Sequence, residues 1–106
     1  MNNIYNVVAL CGGADMVIYI AGRITGELRY REKFAAAEQR LKEKGYTVLN
    51  PAMLPEGMKP EKYLPICMAM IDAADAIYFL RNWRYSRGAL VEHDYAIYQG
   101  KVELYE

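Results

Sequence analysis

The segment Trp83-Arg84-Tyr85-Ser86-Arg87-Gly88-Ala89-Leu90-Val91-Glu92 holds the densest set of groups able to do chemistry in this chain of 106 residues. Ser86 is a good helix N-cap, because its hydroxyl can accept from an N–H of the first turn. The free N–H groups behind it, with a glycine at position 88, would form an anion site at a helix N-terminus. Glu92 has Ala89 three residues before it and Ala96 four after it, so all three share one helix face. Small residues on that face suggest close packing against a sheet. A carboxylate there is expensive unless it is used or paired. The nearby helix start is expected to favour its ionised form. An ionised, positioned glutamate beside an anion site can act as a nucleophile. The same residues also read as a plain capping serine and an ordinary surface glutamate, or one paired with Arg23 or Arg87.

A second group lies at Tyr19-Ile20-Ala21-Gly22-Arg23-Ile24-Thr25-Gly26, where two glycines follow an apolar run. Glycine lets backbone approach a ligand closely. The spacing matches neither the GxxxxGK[ST] phosphate loop nor the GxGxxG dinucleotide fingerprint. Taken alone, it also reads as a simple strand-to-helix turn.

Regular elements must bring these two segments together. Residues 16–21 are a continuous apolar run, as in a strand buried on both faces. Residues 31–44 carry Phe34, Ala37 and Leu41 at helical spacing, and Gly45 stops them. Residues 46–49 form a second strand, closed by Asn50-Pro51. After a loop with Pro55, Gly57 and Pro60 comes a helix near 61–73, with Tyr63, Cys67, Met70 and Ala74 as its stripe. Residues 75–80 are a third strand, 87–99 a third helix ended by Gly100, and 101–105 a last strand. Strict alternation predicts a parallel sheet with right-handed crossovers. The fold expected is an α/β three-layer sandwich, flavodoxin-like or Rossmann-like, with four core strands in order 2-1-3-4. Ligands of such sheets bind beyond the carboxyl ends of the strands. That rule gathers residues 22–26, 50–51 and 80–88 around one cleft. Residues 1–15 read either as an extra edge strand or as an extension upstream of a domain at 16–106.

Composition narrows the functions. Thirteen basic and thirteen acidic residues balance, which argues against a nucleic-acid polymer as partner. Arg81, Arg84 and Arg87 could still serve a small anion. The two cysteines, Cys11 and Cys67, form no CxxC pair, and His93 stands alone, so neither a metal site nor a disulfide framework is expected. No apolar run approaches the roughly 20 residues of a membrane helix, and residues 4–10 make a poor signal peptide. The expected location is cytoplasmic. An apolar fraction of 54% with ten tyrosines suggests surface hidden in a homo-oligomer.

Four stretches together resemble a known family: residues 19–26, Gly45-Tyr-Thr-Val-Leu-Asn-Pro51, Ala74-Asp-Ala-Ile-Tyr-Phe-Leu80 and the run from Asn82 to Ala96. They look like the DUF4406 group of the nucleoside 2-deoxyribosyltransferase-like superfamily, over residues 16–106. The Ser-x-Gly-Ala-x-x-Glu portion is the most specific. The resemblance implies that Glu92 attacks C1′ of the sugar, the base leaves, and a second base or water resolves a glycosyl ester, as in a retaining glycosidase. Ser86 with Gly88 resembles the deoxynucleoside 5′-monophosphate N-glycosidases, in which the serine contacts phosphate. The implied substrate is a small-molecule nucleotide or nucleoside, bound by Tyr19, Gly22, Arg23, Ile24, Thr25, Asn50, Trp83, Ser86 and Gly88, without metal or cofactor. Relatives complete their clefts from a neighbouring subunit, which implies a dimer or larger. Two positions depart from the pattern: Cys67 stands where active relatives carry an aspartate, and Thr25 where the glycosidases carry an arginine. Two other readings stay open, a noncatalytic nucleotide-binding or sensing module and cleavage of NAD or another N-riboside.

Overall fold

The computed structural model describes residues 16–106. The expected extension or edge strand at 1–15 lies outside the described residues. Strand β1 (Val17–Ala21) leads to helix α1 (Tyr30–Glu43), strand β2 (Thr47–Leu49) and helix α2 (Pro60–Ala73). Strand β3 (Ala76–Phe79), helix α3 (Arg87–Tyr98) and strand β4 (Val102–Tyr105) follow. All three strand pairings are parallel and the order is β2-β1-β3-β4. Both match the order expected from the alternation.

The two central strands are buried on both faces, which explains their unbroken apolar sequence. Ile18 and Ile20 of β1 point to one side, with Phe34, Ala37 and Leu41 of α1. Tyr19 and Ala21 point to the other, with Ile77 and Phe79 of β3, Cys67 and Ile71 of α2, and Ala89 and Ala96 of α3. Ile71 rather than Met70 carries the inner face of α2, a small rotation from the stripe predicted. Ala89 and Ala96 are 2% and 0% exposed, so the small-residue face of α3 lies directly on the sheet.

The segments after β1 and β3 are tied together. The Arg23 N–H donates to Asn82 Oδ1 at 3.1 Å, and the Leu80 N–H donates to the Ala21 carbonyl at 2.8 Å. Gly22 is required at this junction. A Cβ there would lie 2.8 Å from Leu80 Cδ1 and 3.0 Å from Leu80 Cβ. The glycine expected to admit a ligand thus admits Leu80 of the neighbouring strand end.

Candidate active site

A cleft of about 830 Å³ opens beyond the carboxyl ends of β1, β2 and β3. Its floor is Tyr19 and Glu92. One wall is Gly22, Arg23, Ile24 and Thr25 after β1, and the other is Ser86, Arg87, Gly88 and Ala89 at the start of α3. The remaining side is Pro51 and Ala52, the segment 54–58, and the first two turns of α2 down to Cys67.

Glu92 reaches the floor because Gly88, Ala89 and Glu92 fall on one face of α3. Its carboxylate oxygen Oε2 accepts a hydrogen bond from the Tyr19 hydroxyl at 2.9 Å. Tyr19 is fully buried in the centre of the sheet, so this phenol is a fixed donor. The Cys67 thiol, 7% exposed, lies beside both. Burial dominates the ionisation of all three. It pushes the Glu92 carboxyl from 4.5 up to about 7, against the pull of hydrogen bonds from Tyr19 and Cys67. It pushes the Cys67 thiol up to about 11 and holds the Tyr19 phenol well above its usual range. The site therefore holds a neutral phenol, a neutral thiol and a carboxyl that ionises near neutrality. The sequence expectation that the helix start keeps Glu92 ionised does not hold. Glu92 is the sixth residue of α3, and the dipole effect fades within the first turn.

The Ser86 hydroxyl accepts from the Ala89 N–H at 3.1 Å, which is the N-cap the sequence predicts. The N–H groups of Arg87 and Gly88 occupy the first two positions of α3, whose N–H groups have no partner within a helix. Arg23 and Arg87 also line the cleft, and neither forms an ion pair among the described residues. A Cβ at Gly88 would meet only Ser86 Oγ, at 3.9 Å, so no packing demand explains this glycine. Gly88→Ala is expected to raise helix stability slightly, by about 0.5 kcal/mol. Its methyl group would narrow the cleft and weaken binding of a phosphate at the helix start by about tenfold. Thermal unfolding and calorimetry on the same variant check both signs.

A family model described as a domain of unknown function, DUF4406, matches residues 16–105. The chain belongs to the DUF4406 family. A comparison with solved structures finds a 2-desoxiribosyltransferase from Leishmania mexicana, with a TM-score of 0.68 and 25% sequence identity. The match covers 85% of this chain and 63% of that one, so the DUF4406 chain spans less than two thirds of that enzyme's length. Its fold belongs to the nucleoside 2-deoxyribosyltransferase-like group. No curated protein matches.

Tyr19, Gly22, Arg23, Ile24, Thr25, Ser86, Gly88 and Glu92 of the expected DUF4406 site meet around the cleft. Asn50 and Trp83 do not line it. The buried Asn50 side chain accepts from the Ala52 N–H at 2.9 Å and donates to Glu38 Oε1 at 2.8 Å, which fixes the 3₁₀ turn Pro51–Met53. Trp83 is 9% exposed, and its ring stacks on His93 with centroids 4.5 Å apart. Arg84 lies over that ring, 5.4 Å from its centroid, rather than in the cleft. Asp72 is bound by Tyr95 and Gln99 at 2.6 and 3.0 Å near the opposite end of α2.

The wall built by residues 54–60 was read from the sequence only as a loop, and Tyr63 only as part of the apolar stripe of the helix that follows. Tyr63 organises this wall: its hydroxyl donates to the Pro55 carbonyl at 2.6 Å and accepts from the Met58 N–H at 3.2 Å. A tyrosine following a proline-rich loop was the available signal.

Proposed function

We propose that this protein cleaves or transfers at the N-glycosidic bond of a (deoxy)nucleoside 5′-monophosphate, through a glycosyl ester on Glu92. The observation that carries this reading is the Glu92 carboxylate on the floor of a nucleotide-sized cleft, oriented by the Tyr19 hydroxyl at 2.9 Å. A fixed carboxylate suits attack on C1′ through an oxocarbenium-like transition state. The α3 N-terminus, with Arg23 and Arg87 on the same cleft, supports recognition of a 5′-phosphate. The solved neighbour is described as a 2-desoxiribosyltransferase, in line with nucleoside chemistry.

Base release from a panel of dNMPs, NMPs, deoxynucleosides and NAD tests the reaction and its scope. Calorimetry of a dNMP against the matching deoxynucleoside tests the phosphate site. At least tenfold tighter binding of the dNMP is expected, and equal affinities would remove the phosphate from the account. One feature supports the noncatalytic nucleotide-binding reading. Cys67, which stands beside Glu92, offers a thiol of high pKa where a carboxylic acid would assist departure of the base. Binding of nucleotides without release of base from any panel member would favour that reading.

We also propose a homo-oligomer in the cytoplasm. Leu90, Val91, Ile97 and Tyr98 are 40%, 49%, 49% and 85% exposed along the outer side of α3. Among the described residues, no helix is long and apolar enough to cross a membrane. A second copy is the expected cover for this apolar face. Sedimentation is expected to give a dimer or larger at tens of micromolar, a range suited to weak dimers, and Ile97→Glu to shift it toward monomer. A wild-type monomer at that concentration would contradict the assignment.

A further inference from the structure

When C1′ is displaced, the departing base takes the bonding electron pair. A base leaving from an uncharged N-glycoside departs as an anion unless a proton reaches it in the transition state. A base that already carries positive charge on its ring leaves as a neutral molecule and needs no proton. The groups around Glu92 determine which class of substrate the cleft suits.

Among the described residues, the two proton-bearing side chains that hydrogen-bond Glu92 are Tyr19 and Cys67. The Tyr19 proton is committed to Glu92 Oε2 at 2.9 Å, from a ring buried within the sheet. The Cys67 thiol is 7% exposed on the inner face of α2, and burial holds its proton to about pH 11. Besides Glu92, the carboxyl groups lining the cleft among the described residues are Glu56 and Glu61. Both residues are exposed, and Glu56 pairs with Arg31 at 2.9 Å. Asp72, the other acid of α2, is turned to Tyr95 and Gln99. Among the described residues, the floor of the cleft thus presents one carboxyl, used as nucleophile, and no second carboxylic acid beside it.

We propose, resting on the glycosyl-transfer reading above, that this cleft selects N-glycosides whose leaving base is already cationic, such as an N-alkylated purine or an N-substituted pyridinium. A Glu92 oxygen bonds to C1′ as the C1′–N bond breaks. The bonding pair passes to the ring nitrogen and cancels the charge of the base. Carboxylate and cation become ester and neutral base, so no proton moves in this step. Water then adds at C1′ of the ester. That second step yields the free sugar phosphate and the Glu92 carboxylate, and releases one proton to solvent.

The test measures base release by the whole protein from dGMP, its 7-methyl derivative and nicotinamide mononucleotide, each corrected for spontaneous loss. For wild type, kcat/KM is expected to be at least 100-fold higher for the two cationic substrates than for dGMP. Cys67→Asp would set a buried carboxyl beside the leaving base, where burial keeps a proton on it near neutral pH. This variant, with folding checked by thermal unfolding, is expected to raise dGMP turnover at least tenfold and reduce the cationic preference. Wild-type turnover of dGMP within a few-fold of 7-methyl-dGMP overturns the inference while leaving the proposed function intact. An unchanged preference in folded Cys67→Asp overturns the proton-donor explanation. Release of no base from any of the three overturns the proposed function and this inference together.

Discussion

Glu92→Gln is expected to lower base release by at least about 10³-fold, equivalent to about 4 kcal/mol of transition-state stabilisation. Gln preserves the shape and still accepts from the Tyr19 hydroxyl, so the cleft should keep its geometry and bind nucleotide. What disappears is the charged oxygen that attacks C1′. The wild-type rate should follow ionisation of the free carboxyl, rising with pH and levelling above about 7. The same substitution should stabilise the fold. Glu92 ionises at about 7 in the folded protein against an ordinary 4.5, so the folded state holds an extra proton between those values. Stability from this group is therefore full below about 4.5, is lost as pH rises toward 7, and stays lost above it. Gln removes that loss. Glu92→Gln should be more stable than wild type by about 2 kcal/mol at pH 8, allowing for the cleft's opening to water, and indistinguishable near pH 4. Denaturant unfolding at the two pH values checks the sign. Equal stability at both would show that the carboxyl is not desolvated.

Trp83→Ala is expected to cost about 3 kcal/mol of stability. The ring fills the space under the start of α3, with centroids 5.1 Å from Phe79, 4.5 Å from His93 and 6.0 Å from Tyr105. Truncation leaves a cavity between β3, β4 and α3, bounded by aromatic rings too stiff to collapse into it. For a domain whose total stability is of order 5–15 kcal/mol, this is a large fraction. The urea midpoint should fall by about 1 M or more. A substrate-binding Trp83, as the family resemblance implied, would instead raise KM with little change in midpoint, so the two measurements separate the roles.

The sheet was legible because its central strands are buried on both faces. That demand forces the apolar runs at 16–21 and 76–80, and glycines mark where two of the helices stop. Phe34, Ala37 and Leu41 show their common face by spacing alone. Ser86, Gly88 and Glu92 were legible because a cap, a glycine and a carboxylate at helical intervals have few joint uses. Asn50 and Trp83 were misplaced for one reason. Each lies in a segment that borders the cleft, and sequence does not tell which way a side chain turns at a strand end. Asn50 turns inward to cap a 3₁₀ turn, and Trp83 turns under α3. The ionisation of Glu92 was misjudged because the helix start is visible in sequence and the burying residues are not. Tyr19, Cys67 and Glu92 lie on three elements and meet only once the sheet is assembled.

The most direct test of Glu92 as nucleophile is mass spectrometry of the protein after incubation with a slow 2′-fluoro nucleotide. One added sugar phosphate is expected on the tryptic peptide of residues 88–101, localised to Glu92 by fragmentation and absent from Glu92→Gln. Base release at a normal rate from ordinary nucleotides by Glu92→Gln, or an adduct on any other residue, would contradict it.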